Sequence, residues 1–170
     1  MDLKKILVTG CAGFIGMSLC EKLLIMGFKV LGVDNLNNYY SVSLKRQRVN
    51  RLKKYKNFLF TISDISNFDD IRSHFKAFKP DKVINLAAQA GVRYSLDNPH
   101  AYINTNVMGF LNILECCRNL NIGSLLYASS SSVYGGNKDF PFSIKDRVDN
   151  PISIYAATKK SNELMAHTYS

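Results

Sequence analysis

Tyr155 and Lys159 lie four residues apart in a stretch of helical periodicity, so both side chains can face one ligand. An ammonium beside a phenol favours the phenolate, which lowers the tyrosine pKa toward neutrality and makes it a usable base. Upstream, the turn Thr9-Gly10-Cys11-Ala12-Gly13-Phe14-Ile15-Gly16 sets three glycines between an apolar run and a helical pattern. Gly10, Gly13 and Gly16 would let the backbone turn sharply and approach a pyrophosphate, while the amides around Phe14 and Ile15 open the helix toward it. Neither signal is specific alone. In this order in one chain they point to redox chemistry on a bound nicotinamide.

Other residues extend the candidate site. Asp34, with Asn35 behind it, ends the second strand, where a carboxylate accepts hydrogen bonds from adenosine ribose hydroxyls and repels a 2′-phosphate; NAD is favoured over NADP. Asp64-Ile65 follows the third strand at the height of an adenine ring, although an aspartate there also serves as a turn former or helix cap. Leu86-Ala87-Ala88-Gln89-Ala90 closes the fourth strand with small residues, which suits either close approach of a ribose or phosphate or tight helix packing. Ser130, at the end of the fifth strand, could hydrogen-bond a reacting hydroxyl. The run Ser129 to Ser132 leaves open which serine does so, and which merely satisfy backbone.

These residues need a frame. Short apolar runs at Leu3 to Thr9, Val30 to Asp34, Phe58 to Ile62, Lys82 to Leu86 and Ser124 to Ser129 read as buried parallel strands. Helical patterns alternate with them: Ile15 to Met26, Val42 to Tyr55, Phe68 to Phe78, Ala101 to Leu120 and Ile154 to Tyr169. The alternation predicts an α/β, doubly wound parallel sheet of Rossmann type, with the first strand central and ligands at the carboxyl ends of the strands. Gly135 to Pro151 has no period and reads as a loop over the site rim, and Ser153 as the cap of the last helix.

Composition narrows the class. A chain of 170 residues with 46% hydrophobic content suits one domain with a buried core. Cys11, Cys20, Cys116 and Cys117 lack metal-ligand spacing and read as reduced core thiols, so no metal is expected. Without a leader pattern or an apolar run of membrane-spanning length, a cytoplasmic protein with no membrane partner is expected. The net charge of +9 is concentrated in Lys45 to Lys56. It could attract nucleic acid, or be the solvated face of a helix whose inner stripe is Leu44, Val49, Leu52 and Tyr55. No nucleic-acid-binding motif accompanies it, so the second reading is preferred; a basic surface would also draw in an anionic nucleotide sugar.

The motifs Thr9-Gly10-x-x-Gly13-Phe14-x-Gly16, Asp64-Ile65, Ser129-Ser130-Ser131-Ser132-Val133-Tyr134-Gly135 and Tyr155-x-x-x-Lys159 resemble the extended short-chain dehydrogenase/reductase (NAD-dependent epimerase/dehydratase) family along the whole chain. Within it, Leu86 to Ser95 and Tyr155 to His167 are most similar to UDP-glucuronate 4-epimerases. The resemblance implies that Tyr155 takes the proton of the sugar 4-hydroxyl while the C4 hydride passes to NAD, and that the 4-keto sugar turns over before hydride returns to its other face. It further implies that Ser130 orients the hydroxyl, that Lys159 also holds the nicotinamide ribose, and that Gln89, Arg93, Ser131 and Ser132 border the UDP-sugar. Dehydrating and decarboxylating relatives carry an acidic residue where Ser131 or Ser132 stands here, which favours epimerisation.

The resemblance also implies a homodimer through helices 101–120 and 154–169, unless their apolar stripes serve only to cover the sheet. Family members continue beyond the Tyr/Lys helix into further strands and a smaller sugar-binding domain. The expectation for residues 1–170 is therefore an incomplete NAD-binding Rossmann domain, lacking the last strands and substrate domain, with an apolar fifth strand left at the edge. The alternatives are an NAD-binding or subunit-pairing module that turns nothing over, another nucleotide-sugar epimerase, or a dehydrogenase that releases its reduced cofactor.

Overall fold

Strand β1 (Lys5–Thr9) is buried along nearly its whole length because it has neighbours on every side. It pairs in parallel with β2 (Lys29–Asp34) and with β4 (Lys82–Asn85), Leu7 standing opposite both Leu31 and Val83. Outside these lie β3 (Phe58–Ile62) and β5 (Leu125–Tyr127), giving the order β3-β2-β1-β4-β5 in a computed structural model that describes residues 4–170. The chain winds outward from β1 to β3, then returns to β4, so the direction reverses between β1 and β4 and opens a crevice at their carboxyl ends. The central placement of β1 is as expected. Leu3, where that strand was expected to begin, lies outside the described residues.

Side chains alternate across the sheet and feed two cores. Ile6, Val8 and Val30 pack with Cys20, Leu23 and Leu24 of α1 (Phe14–Ile25) and Leu52 of α2 (Val42–Leu52). Leu7, Leu31 and Val83 point the other way, against Ile71, Phe75 and Phe78 of α3 (Phe68–Phe78) and Ile113, Cys116 and Cys117 further on. All four cysteines are buried and free, and burial raises each thiol pKa.

Local signals set the helix ends. Ser41 accepts a hydrogen bond from Leu44 N, Asn67 from Asp70 N and Ser153 from Ala156 N, capping α2, α3 and the final helix α7 (Ile154–Thr168). Between α3 and α7 lie α4 (Tyr94–Asp97), α5 (Pro99–Tyr102) and α6 (Gly109–Asn119).

Three features depart from the sequence reading. The helix expected over Ala101 to Leu120 is interrupted by a π-helical segment, Ile103–Met108, because Asn106 within it makes tertiary hydrogen bonds instead of following an apolar stripe. The short helix α4 and a 3₁₀ turn at Ser131–Tyr134 arise where no period was visible. In α2, which stops at Leu52 rather than Tyr55, Leu44 is 41% exposed and the inner face is Lys45, Val49 and Leu52. Residues 135–153 contain neither helix nor strand, as expected, and the edge strand β5 leaves Leu126 64% exposed.

Phe75 is fully buried among Leu7, Val33 and Ile113. Phe75→Ala is expected to lower unfolding free energy by about 3–5 kcal/mol, seen as a lower urea midpoint with an unchanged slope.

Candidate dinucleotide site and acid/base helix

The glycine turn is closed by contact with its own backbone. Gly10 has φ +70°, and a Cβ there would stand 2.7 Å from Ala87 N; a Cβ on Gly16 would stand 2.0 Å from Gly10 O. Side chains are therefore excluded where β1 meets β4 and where α1 crosses the turn. Helix α1 begins at Gly13 with no side-chain cap and no acidic residue in its first turn. Its first amides are left to an anion, an arrangement that fits a pyrophosphate. Phe14 and Ile15 themselves are exposed beside it.

Asp34 closes one wall. One carboxylate oxygen accepts from Ala12 N at 3.0 Å and the other from Leu36 N at 2.9 Å. These amides compensate burial of the charge, and each oxygen keeps a lone pair for a ribose hydroxyl. Asn35 donates to Asp64 across the strand ends at 2.8 Å, and Ser66 donates to Asp64 through both its N–H and its hydroxyl. Burial pushes the Asp64 pKa up, but the hydrogen bonds from Asn35 and Ser66 outweigh it and hold it below the usual carboxylate range. Asp64 is thus both turn former and cavity wall. Asn112 clamps the same loop by donating to Ile65 O and Ser66 O.

A cavity lies among these groups. Gly10, Gly13, Asp34, Asn35, Asp64 and Ile65 line one part of it, and Leu86, Ala87, Ala88 and Gln89 another. Sequence reasoning missed the strap between β2 and α2, from which Asn37, Tyr39 and Tyr40 also line the cavity. It placed Lys45 on a solvated face. Instead Lys45 is buried in the cavity wall, donating to Asn37 O at 2.9 Å and Asn37 Oδ1 at 2.6 Å. Desolvation lowers the Lys45 pKa despite attraction to Asp34. Arg48 reaches over the glycine turn to Ala12 O and the Tyr40 hydroxyl. The signal for these residues was available in part: Lys45 stands four and seven residues before Val49 and Leu52, on their face.

The candidate acid/base residues, Tyr155 and Lys159, sit on α7, outside the cavity lining but tied to it. Asn106, only 2% exposed, accepts from Gln89 N at 2.8 Å and donates to Gln89 O and to Thr158 Oγ1, each at 3.1 Å. Its carbonyl accepts from Asn162 at 2.6 Å. The cavity wall at Gln89 and the helix bearing Tyr155 and Lys159 are thereby held as one piece. The Tyr155 ring meets Tyr102 edge-on, centroids 6.1 Å apart, and the Tyr102 hydroxyl donates to Ala90 O and Gly91 O at the cavity rim.

Helix α7 also packs against the serine turn, and the serines divide by partner. Ser129 donates to Glu163 at 2.6 Å. Ser130 accepts from Ser132 N at 3.1 Å, capping the 3₁₀ turn and keeping its own proton for another acceptor. Ser131 is exposed and Ser132 half-buried. Arg93 is exposed at the start of α4 and does not line the cavity.

The family model described as GDP-mannose 4,6-dehydratase matches residues 7–170. The chain belongs to this family. Among family relatives, the CapI protein of Staphylococcus aureus is 58% identical over 98% of this chain and 49% of its own length. A UDP-glucuronate 4-epimerase of Thermodesulfobacterium geofontis is 50% identical over 96% of this chain and 50% of its own length. The crystal structure of UDP-glucuronic acid 4-epimerase from Bacillus cereus, in complex with UDP-glucuronic acid and NAD, superposes with a TM-score of 0.88 at 36% identity, covering 97% of this chain and 52% of that one. The chain spans about half the length of the relatives it matches. Among the described residues no helix is long and apolar enough to cross a membrane.

Lys159 is 4% exposed, and burial lowers its pKa from 10.5 to about 8. A depressed cation weakens the folded state below pH 8, and the loss fades as pH rises from about 8 through 10.5. Lys159→Met is therefore expected to melt above the parent at pH 7, by the equivalent of about 3 kcal/mol. The gap should close as thermal scans are taken toward pH 10.5.

Proposed function

We propose that this chain supplies the NAD-binding Rossmann domain and the acid/base residues of a UDP-sugar 4-epimerase acting between UDP-glucuronate and UDP-galacturonate. The observation that carries the reading is the Asn106 junction, which joins the cavity wall at Gln89 to the helix of Tyr155 and Lys159. The cavity fits the adenosine half of NAD through Asp34 and Asp64, and the uncapped start of α1 fits its pyrophosphate. Relatives named as UDP-glucuronate 4-epimerases and a matching structure holding NAD and UDP-glucuronic acid support the substrate and the cofactor.

Bound NAD would accept hydride from the sugar C4 and return it. Tyr155 removes the 4-hydroxyl proton as that hydride departs, leaving a 4-keto sugar, and gives the proton back when hydride re-enters from the opposite face. Lys159, with a pKa of about 8, remains largely charged at pH 7; its ammonium stabilises the phenolate and faces the nicotinamide ribose. Ser130, with its proton unclaimed, orients the reacting hydroxyl, while Gln89, Ser131, Ser132 and Arg93 border the sugar nucleotide.

A dehydratase needs a carboxylate free to move a second sugar proton. The acid at the serine turn, Glu163, is engaged by Ser129 and by Lys160 at 3.2 Å. Epimerisation is the better fit. Ile103, Met108 and Leu164 leave apolar surface on 101–120 and 154–169, which supports pairing of two copies through these helices.

Calorimetric titration with NAD, followed by product analysis with UDP-glucuronate, tests the reading. Binding of NAD by the 170-residue chain is the expected result, and interconversion would show that it holds the sugar nucleotide as well. Binding without interconversion would assign it the cofactor half alone, and a folded chain that ignores NAD would remove the proposal. Tyr155→Phe should cut interconversion by about 10²–10⁴-fold while leaving the calorimetric NAD affinity unchanged.

A further inference from the structure

The strap between β2 and α2 leaves from one side of the glycine turn and touches the other. Strand β1, whose carboxyl end carries that turn, lies between β2 and β4 in the sheet. The strap follows β2, the loop bearing Ala90 and Gly91 follows β4, and neighbouring strands stand about 5 Å apart, so a contact between these segments has to cross the end of β1. Tyr39 makes that contact. Its ring meets the Tyr94 ring with centroids 5.1 Å apart, and its hydroxyl lies so near Gly91 that a Cβ there would collide with it. Tyr39, Gln89 and Ala90 all line the cavity.

Both ends of the crossing are anchored. On the strap, Lys45 donates to Asn37 O and Asn37 Oδ1, and the Tyr40 hydroxyl donates to Ala12 O at 3.4 Å. On the far side, the Tyr102 hydroxyl donates to Ala90 O and Gly91 O, and its ring lies 6.2 Å from that of Tyr94. Tyr39 itself is 43% exposed and joins the two sides by ring contact. Such a contact is weak enough to break and reform at ordinary temperature, so the crossing can open while its anchors stay in place.

Resting on the NAD reading above, we propose that Tyr39 is a clasp over the dinucleotide: a pyrophosphate on the glycine turn lies beneath the crossing, and Tyr39 must part from Tyr94 and Gly91 before the cofactor enters or leaves. The chemistry gives the clasp its use. In epimerisation hydride leaves the sugar and returns to it, so the dinucleotide ends each turnover as it began, and its departure between the two transfers would strand a 4-keto sugar. A dehydrogenase needs the opposite, exchange of cofactor at every turnover.

Tyr39→Ala and Tyr39→Phe in the 170-residue chain test this, with NADH association followed by its fluorescence in stopped flow and its release chased by excess NAD. In Tyr39→Ala association and dissociation should both quicken, each about 5–10-fold, the scale of one aromatic pair, so that equilibrium affinity changes little. Tyr39→Phe keeps the ring and should exchange NADH at the parent's rates. Equal rates in parent and Tyr39→Ala overturn the proposal. Faster dissociation with unchanged association, the mark of an ordinary ligand contact, also overturns it, as does a Tyr39→Phe variant that exchanges as fast as Tyr39→Ala. Failure of the NAD reading looks different, since the parent itself would bind no NADH.

Discussion

The Asn106 side chain commits its oxygen to Gln89 N and its nitrogen to Gln89 O and Thr158, while its carbonyl is held by Asn162. All four residues are buried, so no solvent replaces a broken bond, and each partner would be left unsatisfied. Three separate pieces of chain meet there: the loop after β4, the π-helical segment and α7. A regular α-helix through 103–108 would bring every backbone carbonyl into its own ladder. The wider π turn goes with an Asn106 carbonyl that Asn162 can reach. The irregularity in the helix is thus part of the junction between the cavity and Tyr155.

A second constraint acts at the opposite wall. Gly10 and Gly16 allow the turn, the start of α1 and the loop after β4 to pack backbone on backbone, which brings the uncapped helix end directly over the carboxyl ends of β1 and β4. Asp34 locks that arrangement from β2 by accepting from Ala12 N. The carboxylate can accept from a further donor because the same burial that would raise its energy is offset by two amides. Turn, helix dipole and carboxylate are consequently one unit.

Much of this was legible in the chain. Hydrophobic runs gave all five strands and the central place of the first, since buried parallel strands alternating with helices admit few arrangements, and Gly10, Gly13, Asp34 and Asp64, singled out by their position after a strand, line one cavity. What escaped were residues whose role depends on a distant partner. Asn106 reads as an ordinary polar residue on a helix until Gln89 and Thr158 are placed beside it. Lys45 was counted with a solvated basic face, yet it faces Asn37, Arg48 reaches Ala12 O, and Arg51 pairs with Glu21. Charge along a sequence says little about which cations remain for a partner once the helix is packed.

The proposed chemistry asks for one fixed and one movable reactant, because hydride leaves C4 on one face of the sugar and returns on the other. The two sides of the site are built accordingly. On the dinucleotide side, Asn112 clamps Ile65, Asn35 ties Asp64 to the end of β2, and Asn106 fixes Gln89, so the walls come from packed helices and strand ends. On the side beyond the serine turn, residues 135–153 form no helix or strand and expose Phe140, Ile144 and Ile152. Tyr155 stands at the boundary, its helix anchored to the first side through Thr158 and Asn162. A base so placed keeps its position relative to the dinucleotide while the ketone it has made changes face, which is the geometric condition for the same tyrosine to remove a proton and later return it.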